Sequence, residues 1–196
     1  GQTIMNTLYP IFLKTENFNI LIVGGGFVGT EKLSFILKNS PNANITVVAK
    51  EISDEIKSMV NGQLSIVLTE KPFEKSDLEN KQLAIAATAD KELNKAIYRA
   101  AKEKNILINV ADTPELCDFY LGSIVTKGDL KIAISTNGKS PTLSKRIREF
   151  FEDILPENIN DLILNLNDYR KTLKGNFEEK VDALNEITKS FKKKKK

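Results

Sequence analysis

Apolar positions along the chain fall into two alternating kinds of run. Asn19 to Val23, Asn44 to Ala49, Leu64 to Leu68, Gln82 to Thr88 and Ile106 to Val110 are short apolar stretches with little polar alternation inside them. That pattern predicts strands covered on both faces, as in a parallel sheet. Between them, Thr30 to Lys38 and Lys91 to Lys104 carry apolar residues at helical spacing, with Leu93, Ile97, Ala100 and Ala101 as the buried stripe of the second. A shorter helix is predicted over Asp54 to Val60, with Ser53 as its N-cap and Asn61-Gly62 ending it. Met5 to Phe18 reads as an extended lead-in beside the first strand. Strands alternating with helices, joined by right-handed crossovers, give an α/β doubly wound parallel sheet.

The first strand runs directly into Gly24-Gly25-Gly26-Phe27-Val28-Gly29, a Gly-x-Gly-x-x-Gly turn that opens a helix. In a Rossmann-type dinucleotide site Gly24 permits the turn, Gly26 admits a pyrophosphate close to the backbone, and Gly29 lets helix pack on strand. The helix N-terminus would offer its unpaired amides to the phosphates. A glycine-rich turn in some other α/β protein is the plainer alternative, and the strand before and helix after the turn favour the dinucleotide. Ligands of such sheets sit beyond the carboxyl ends of the strands. The second strand ends at Lys50 and Glu51: Glu51 suits the ribose hydroxyls of NAD, Lys50 the extra phosphate of NADP, and the choice stays open with NAD preferred. Thr88 lies where the cofactor passes the sheet, or serves only as a strand-to-helix turn.

The pattern changes at about Glu115. Phe119 to Lys127 and Leu130 to Thr136 flank Gly128-Asp129 as a hairpin, Ser140-Pro141 starts a helix, and Glu157 to Leu173 and Asn176 to Phe191 are two more amphipathic segments. The expected organisation is a dinucleotide-binding domain over 5–114, an annex of hairpin and helices over 115–191, and a lysine tail over 192–196. A hairpin too small to stand alone suggests pairing with a second subunit.

Composition narrows the chemistry. The 196 residues include one cysteine, Cys117, and no histidine. Intrachain disulfides, thiolate metal clusters, imidazole bases and histidine ligands are therefore excluded, and proton transfer falls to carboxylates, lysines, tyrosines or water. The net charge of +3 includes five terminal lysines; without them 24 basic residues face 26 acidic ones, so specific nucleic-acid binding is not expected. No apolar run is long enough to cross a bilayer and no signal pattern is present, which implies a cytoplasmic protein. Gly1 to Ile4, ahead of Met5, read as a cloning remnant.

Taken in order, Tyr9-Pro10-Ile11-Phe12, Val23 to Val28, Leu83 to Thr88, Asn109-Val110-Ala111-Asp112 and Ser135 to Pro141 resemble the precorrin-2 dehydrogenase family, the dehydrogenase/ferrochelatase part of siroheme synthase. The resemblance spans roughly Met5 to Pro156. It implies NAD-dependent oxidation of precorrin-2 to sirohydrochlorin, in some members Fe²⁺ insertion with the iron as substrate, and a homodimer whose annex helps form the tetrapyrrole cleft. By position it implies cofactor contacts at Gly24, Gly26, Phe27, Val28, Lys50, Glu51 and Thr88, and an acid/base role for Asp112. Asp112 also begins a good turn, Asp-Thr-Pro, which is the alternative from the residues alone. The substrate's eight carboxylates call for cations and donors, expected from Ser135, Thr136, Lys139, Ser140 and Arg148, with Lys145 and Arg146 nearby. No protein-held metal site is expected. The competing function is a nonenzymatic NAD-sensing module, which would need the glycine turn but not the Ser135 to Pro141 loop.

Overall fold

The structure is a computed structural model and describes residues 5–189. Gly1 to Ile4 and the lysine tail lie outside the described residues. The chain divides into two compact units, 1–122 with 135–141, and 123–134 with 142–196.

The first unit is a parallel sheet of β1 (Asn19–Val23), β2 (Asn44–Ala49), β3 (Ile66–Glu70), β4 (Leu83–Ala86) and β5 (Leu107–Val110) in the order β3-β2-β1-β4-β5. This is the Rossmann-type doubly wound arrangement predicted from the apolar runs. Helices α1 (Phe27–Asn39), α2 (Asp54–Met59) and α3 (Lys91–Glu103) connect the strands. Side chains alternate along β1: Ile20 and Ile22 join a core cluster with Leu33 and Ile36 of α1 and Ile56 of α2. Leu21 and Val23 join the other, with Ile97, Ala100 and Ala101 of α3. Both faces of the strand are thus spent on burial, and each fully buried Leu or Ile is worth about 1.5–3 kcal/mol.

Several boundaries move for local reasons. The third strand starts at Ile66 instead of Leu64, because the turn at Gly62 (φ +79°) and the bonds Gln63 N–H to Val60 O and Ile66 N–H to Gln63 O occupy the preceding backbone. Leu64 is left fully exposed. α1 begins at Phe27, three residues before the first helical residue expected. Residues 119–122 do not extend the hairpin strand: Asp118 N–H donates to Ile108 O at 2.8 Å, Asn109 Nδ2 donates to Phe119 O at 2.8 Å, and Phe119 and Leu121 pack on the core of the first unit. The lead-in over 5–14 has no regular structure, and Tyr9, Ile11 and Phe12 are exposed.

The second unit holds the antiparallel hairpin β6 (Ser123–Lys127) and β7 (Leu130–Ile134), followed by α4 (Pro141–Ile154), α5 (Ile159–Thr172) and α6 (Phe177–Thr188). Its turn is at Gly128-Asp129 as expected, with Gly128 at φ +59° and Asp129 N–H donating to Asn160 Oδ1 at 2.8 Å. Lys127 Nζ donates to Leu155 O at 2.8 Å and pairs with Glu157 at 2.7 Å. Ser144 Oγ donates to Ile134 O at 3.1 Å, and Asn176 and Glu179 form a capping box on α6.

Candidate functional site

The parallel sheet brings the ends of β1, β2, β4 and β5 to one edge of the first unit, and with them Gly24, Gly26, Phe27, Val28, Lys50, Glu51, Thr88 and Asp112. Gly24 has φ +135°, and a Cβ there would overlap the Ala87 carbonyl oxygen. A Cβ on Gly29 would overlap the Gly24 carbonyl, and one on Gly25 the Glu51 carbonyl. Gly26 differs: a Cβ there would meet nothing within 4 Å. The turn is therefore closed on its protein side at positions 24, 25 and 29 and open at 26, the position where a phosphate needs access. The first amides of α1 have no intrahelical acceptor. These features fit a dinucleotide pyrophosphate.

Gly25 has a role that the glycine spacing alone does not reveal. Its carbonyl accepts from Ser53 N–H at 2.9 Å, while Ser53 Oγ caps α2 through Ile56 N–H at 3.2 Å and lies 3.2 Å from Thr30 Oγ1. Thr30 Oγ1 in turn donates to Gly26 O at 2.8 Å. The glycine turn, α1 and the start of α2 are thereby one hydrogen-bonded assembly. Phe27 stands beside the turn with 83% of its surface exposed, and Val28 packs against the core.

After β2, Lys50 and Glu51 project as exposed side chains. The loop that carries them is held from β3 by Glu70, whose Oε1 accepts from Ile52 N–H at 3.3 Å and pairs with Lys57 Nζ at 2.6 Å. The Lys57 ammonium, then the Ile52 amide, hold the Glu70 carboxyl below the usual carboxylate range.

After β4, Thr88 is half-buried and tied to Asn94 of α3 by three hydrogen bonds. Asn94 is only 6% exposed. Its signal was present in the sequence: a polar residue on the apolar stripe of α3, three positions before Ile97.

After β5, Asp112 occupies the left-handed region at φ +55° in a turn closed by Thr113 N–H to Val110 O at 3.2 Å. Asp tolerates this conformation better than most side chains, and it is sparsely used outside turns and ligand sites. The Asp112 carboxylate is exposed and, among the described residues, takes part in no hydrogen bond or ion pair. Cys117 braces the turn from below: its Sγ lies 3.3 Å from Val110 N and O and 3.4 Å from Thr113 O. Burial, with Asp118 and Glu115 nearby, pushes this thiol above its ordinary value.

Ser135, Thr136, Lys139 and Ser140 belong to the first unit, where a Cβ on Gly138 would stand 4.0 Å from Pro114. Ser135 Oγ accepts from Asn137 N–H at 3.1 Å and Thr136 Oγ1 from Ser140 N–H at 3.0 Å, so both hydroxyls shape the loop. Lys139 is exposed. Arg148 is in the second unit, where its guanidinium lies 2.7 Å from both carboxylate oxygens of Glu152. Arg146 is likewise paired with Glu149 at 2.8 Å, and these cations are engaged within their own helix. Among the described residues, no three His, Cys, Asp or Glu side chains gather as a metal site, and no helix is long and apolar enough to cross a membrane.

With this geometry in view, the comparisons with known proteins are informative. Residues 11–123 match the family described as "Putative NAD(P)-binding", and residues 127–154 match "Sirohaem biosynthesis protein central". The chain is 36% identical over 171 residues to the siroheme synthase of Psychrobacter cryohalolentis, covering 87% of this chain and 32% of that protein. It is 36% identical over 173 residues to the siroheme synthase of Methylobacillus flagellatus, covering 88% of this chain and 36% of that one. It thus spans about a third of the length of these curated relatives. Among solved structures, "SirC, precorrin-2 dehydrogenase" superposes with a TM-score of 0.70 at 28% identity, covering 92% of this chain and 89% of that chain. A glycine turn built for a dinucleotide, a matching NAD(P)-binding family and likeness over nearly the whole of SirC agree: the chain belongs to the precorrin-2 dehydrogenase and siroheme synthase family.

Proposed function

We propose that this chain oxidises precorrin-2 to sirohydrochlorin in siroheme biosynthesis, with NAD⁺ as the hydride acceptor, as a cytoplasmic homodimer. The observation that carries the reading is the pairing, on one sheet edge, of a dinucleotide-type glycine turn with an exposed carboxylate held in a left-handed turn. In this reading residues 5–114 bind the dinucleotide and residues 115–191 serve dimerisation and tetrapyrrole binding.

NAD⁺ supplies, when bound, an electrophilic nicotinamide that takes a hydride. The chain's own residues do the rest. The first amides of α1 and the open face of Gly26 would receive the pyrophosphate, with Phe27 and Val28 at that turn, and Glu51 would accept from the ribose hydroxyls. Lys50 beside Glu51 is the group that would meet a 2′-phosphate if NADP were used. Thr88 borders the path toward the nicotinamide. As a C–H bond of precorrin-2 breaks, its electron pair leaves with the hydride and a proton leaves to the Asp112 carboxylate, which returns it to solvent. An aspartate with no competing ion pair is free to accept that proton. Lys139 offers a cation, and Ser135, Thr136 and Ser140 a preformed loop, to the substrate's carboxylates. Arg148, in the second unit, takes a substrate carboxylate only by releasing Glu152.

If iron insertion follows, Fe²⁺ enters as substrate, the tetrapyrrole nitrogens bind it, and Asp112 receives the displaced pyrrole protons. The exposed apolar side chains of α4, including Phe150 and Ile154, support the homodimer.

The test is an anaerobic absorbance assay with enzymatically prepared precorrin-2, the purified chain and NAD⁺, followed by Fe²⁺. The sirohydrochlorin spectrum should form only with the dinucleotide, and siroheme formation above the protein-free rate would add the chelatase. Folded protein that binds NAD⁺ but oxidises nothing would overturn the enzyme and favour the sensing module.

A further inference from the structure

The geometry points to Asn94 as a positioning residue for the dinucleotide, acting through the Ala87-Thr88 peptide, an inference that rests on the NAD-binding part of the reading above. β4 ends at Ala86, where Ala87 N–H donates to Val23 O at 2.8 Å and Ala111 N–H to Ala86 O at 2.9 Å. Beyond that point, among the described residues, no neighbouring strand pairs with Thr88. Asn94 takes the strand's place. Its Oδ1 accepts from Thr88 N–H at 3.2 Å, and its Nδ2 donates to Thr88 O at 3.1 Å, so one carboxamide closes both backbone groups. The Thr88 hydroxyl donates to the same Oδ1 at 2.6 Å and accepts from Asp90 N–H at 3.2 Å. This arrangement fixes the amide orientation, because a flipped carboxamide would set oxygen against the Thr88 carbonyl.

What the carboxamide holds is the floor of the glycine turn. A Cβ on Gly24 would overlap Ala87 O and would lie 2.6 Å from Ala87 C and 3.2 Å from Thr88 N. Gly24 therefore rests on the very peptide that Asn94 fixes. A peptide free to rotate there would push its carbonyl into the turn or leave the turn unsupported, and α1 starts three residues after Gly24. Asn94 is buried in α3, so its effect passes through Thr88 and Gly24 to the first amides of α1. The separation of these residues in sequence, with β1, β4 and α3 all contributing, is why no local motif reveals the link.

The experiment is calorimetric titration of the full chain with NAD⁺, for the unsubstituted protein and the variants Asn94→Ala, Asn94→Asp and Lys95→Ala. Asn94→Asp keeps size and the acceptor for Thr88 N–H but loses the donor to Thr88 O; Lys95→Ala removes only an exposed ion pair with Glu92 on the same helix. Folding is checked by circular dichroism and thermal melting. Asn94→Ala, which leaves Thr88 N–H in the peptide under Gly24 without its acceptor, should weaken NAD⁺ binding by about fivefold, the factor that one lost hydrogen bond of about 1 kcal/mol produces. Asn94→Asp, which keeps that acceptor, should weaken it by less, and Lys95→Ala should bind within about twofold of the unsubstituted chain. In turnover assays, KM for NAD⁺ should rise with kcat at saturating NAD⁺ nearly unchanged, a split that a purely structural role would not produce. Folded Asn94 variants with unchanged NAD⁺ affinity would overturn the inference. Unfolding of both would overturn it as well, by assigning Asn94 to the core alone. Absence of NAD⁺ binding in the unsubstituted chain would instead bring down the reading on which it rests.

Discussion

In the first unit the parallel strands bury apolar side chains on both faces, and the residues that meet the ligand edge stand on that packed base. In the second, Val125 and Ile159 are the buried apolar residues among those described, while Leu143, Phe150, Ile154, Leu164, Phe177, Val181 and Ile187 remain exposed. Polar staples do much of the local work there: Lys127 on the end of α4, Ser144 on β7, Asn160 on the hairpin turn and the capping box of α6. Each such bond nets about 1 kcal/mol. The contrast teaches that the first unit holds exposed site residues on a packed base, whereas the second leaves apolar faces uncovered.

The largest expected effect tests where chemistry sits. Asp112→Asn should lower kcat by about 100- to 10,000-fold, the range for a lost general base, while leaving NAD⁺ affinity and Tm nearly unchanged, because Asn also tolerates the left-handed conformation. Arg148→Ala in the second unit removes a cation already paired with Glu152, and should change KM for precorrin-2 by less than about fivefold. Steady-state kinetics on both variants decide the matter. A loss at Arg148 equal to that at Asp112 would break the contrast and move part of the chemistry to the second unit.

Glycines measure the rigidity of each unit. Gly24→Ala drives a Cβ into a backbone carbonyl at φ +135°, and should destabilise by about 3 kcal/mol or more in chemical denaturation. Gly128→Ala meets the Asn160 carboxamide, a side chain that can rotate away, so the loss should be about 1–2 kcal/mol, mostly from φ +59°. Gly26→Ala meets nothing, and should keep the melting temperature while weakening NAD⁺. Equal costs at 24 and 128 would show the second unit to be as tightly constrained as the first.

How much of this could be read from the sequence follows the same division. Strands and helices of the first unit are legible because burial on both faces writes long apolar runs, and the glycine turn is legible because backbone geometry leaves one residue type at Gly24. Asp112 was visible as a turn former, but its left-handed conformation and freedom from partners depend on Cys117 and β5, which no local pattern links. Asn94 and Glu70 are hidden for a related reason: each is a side chain serving backbone elsewhere, Asn94 on Thr88 six residues earlier and Glu70 on Ile52 beyond the neighbouring strand. The cations expected at the substrate were named by charge alone. Glutamates one turn away on α4, available in the sequence at positions 149 and 152, pair with Arg146 and Arg148.

The apolar faces of the second unit give a test of intermediate size. If a second copy covers α4, Phe150→Glu should cost the dimer about 2 kcal/mol, a roughly thirtyfold weaker association, read by sedimentation equilibrium. NAD⁺ binding to the first unit should be retained. A chain that is monomeric before substitution would leave those faces to a different partner and remove the homodimer from the proposed function.

The smallest effect concerns the brace on the Lys50-Glu51 loop. Lys57 and the Ile52 amide lower the Glu70 pKa in the folded state, so the stabilisation is present above the ordinary carboxylate value and is lost as pH falls through the lowered one. Hydrogen bonding to Glu70 raises Lys57 in turn, so its share is present below the ordinary lysine value and is lost as pH rises through the raised one. Both side chains are 47% exposed, and solvent and salt screen the pair. Glu70→Gln should therefore lower Tm slightly at neutral pH, with the gap to the unsubstituted chain closing in acid and shrinking in high salt. Gln keeps an acceptor for Ile52 N–H, so the loop itself should hold and NAD⁺ affinity should change little. A gap in Tm that persists unchanged at acid pH would assign Glu70's contribution to packing and to the Ile52 bond instead of to charge.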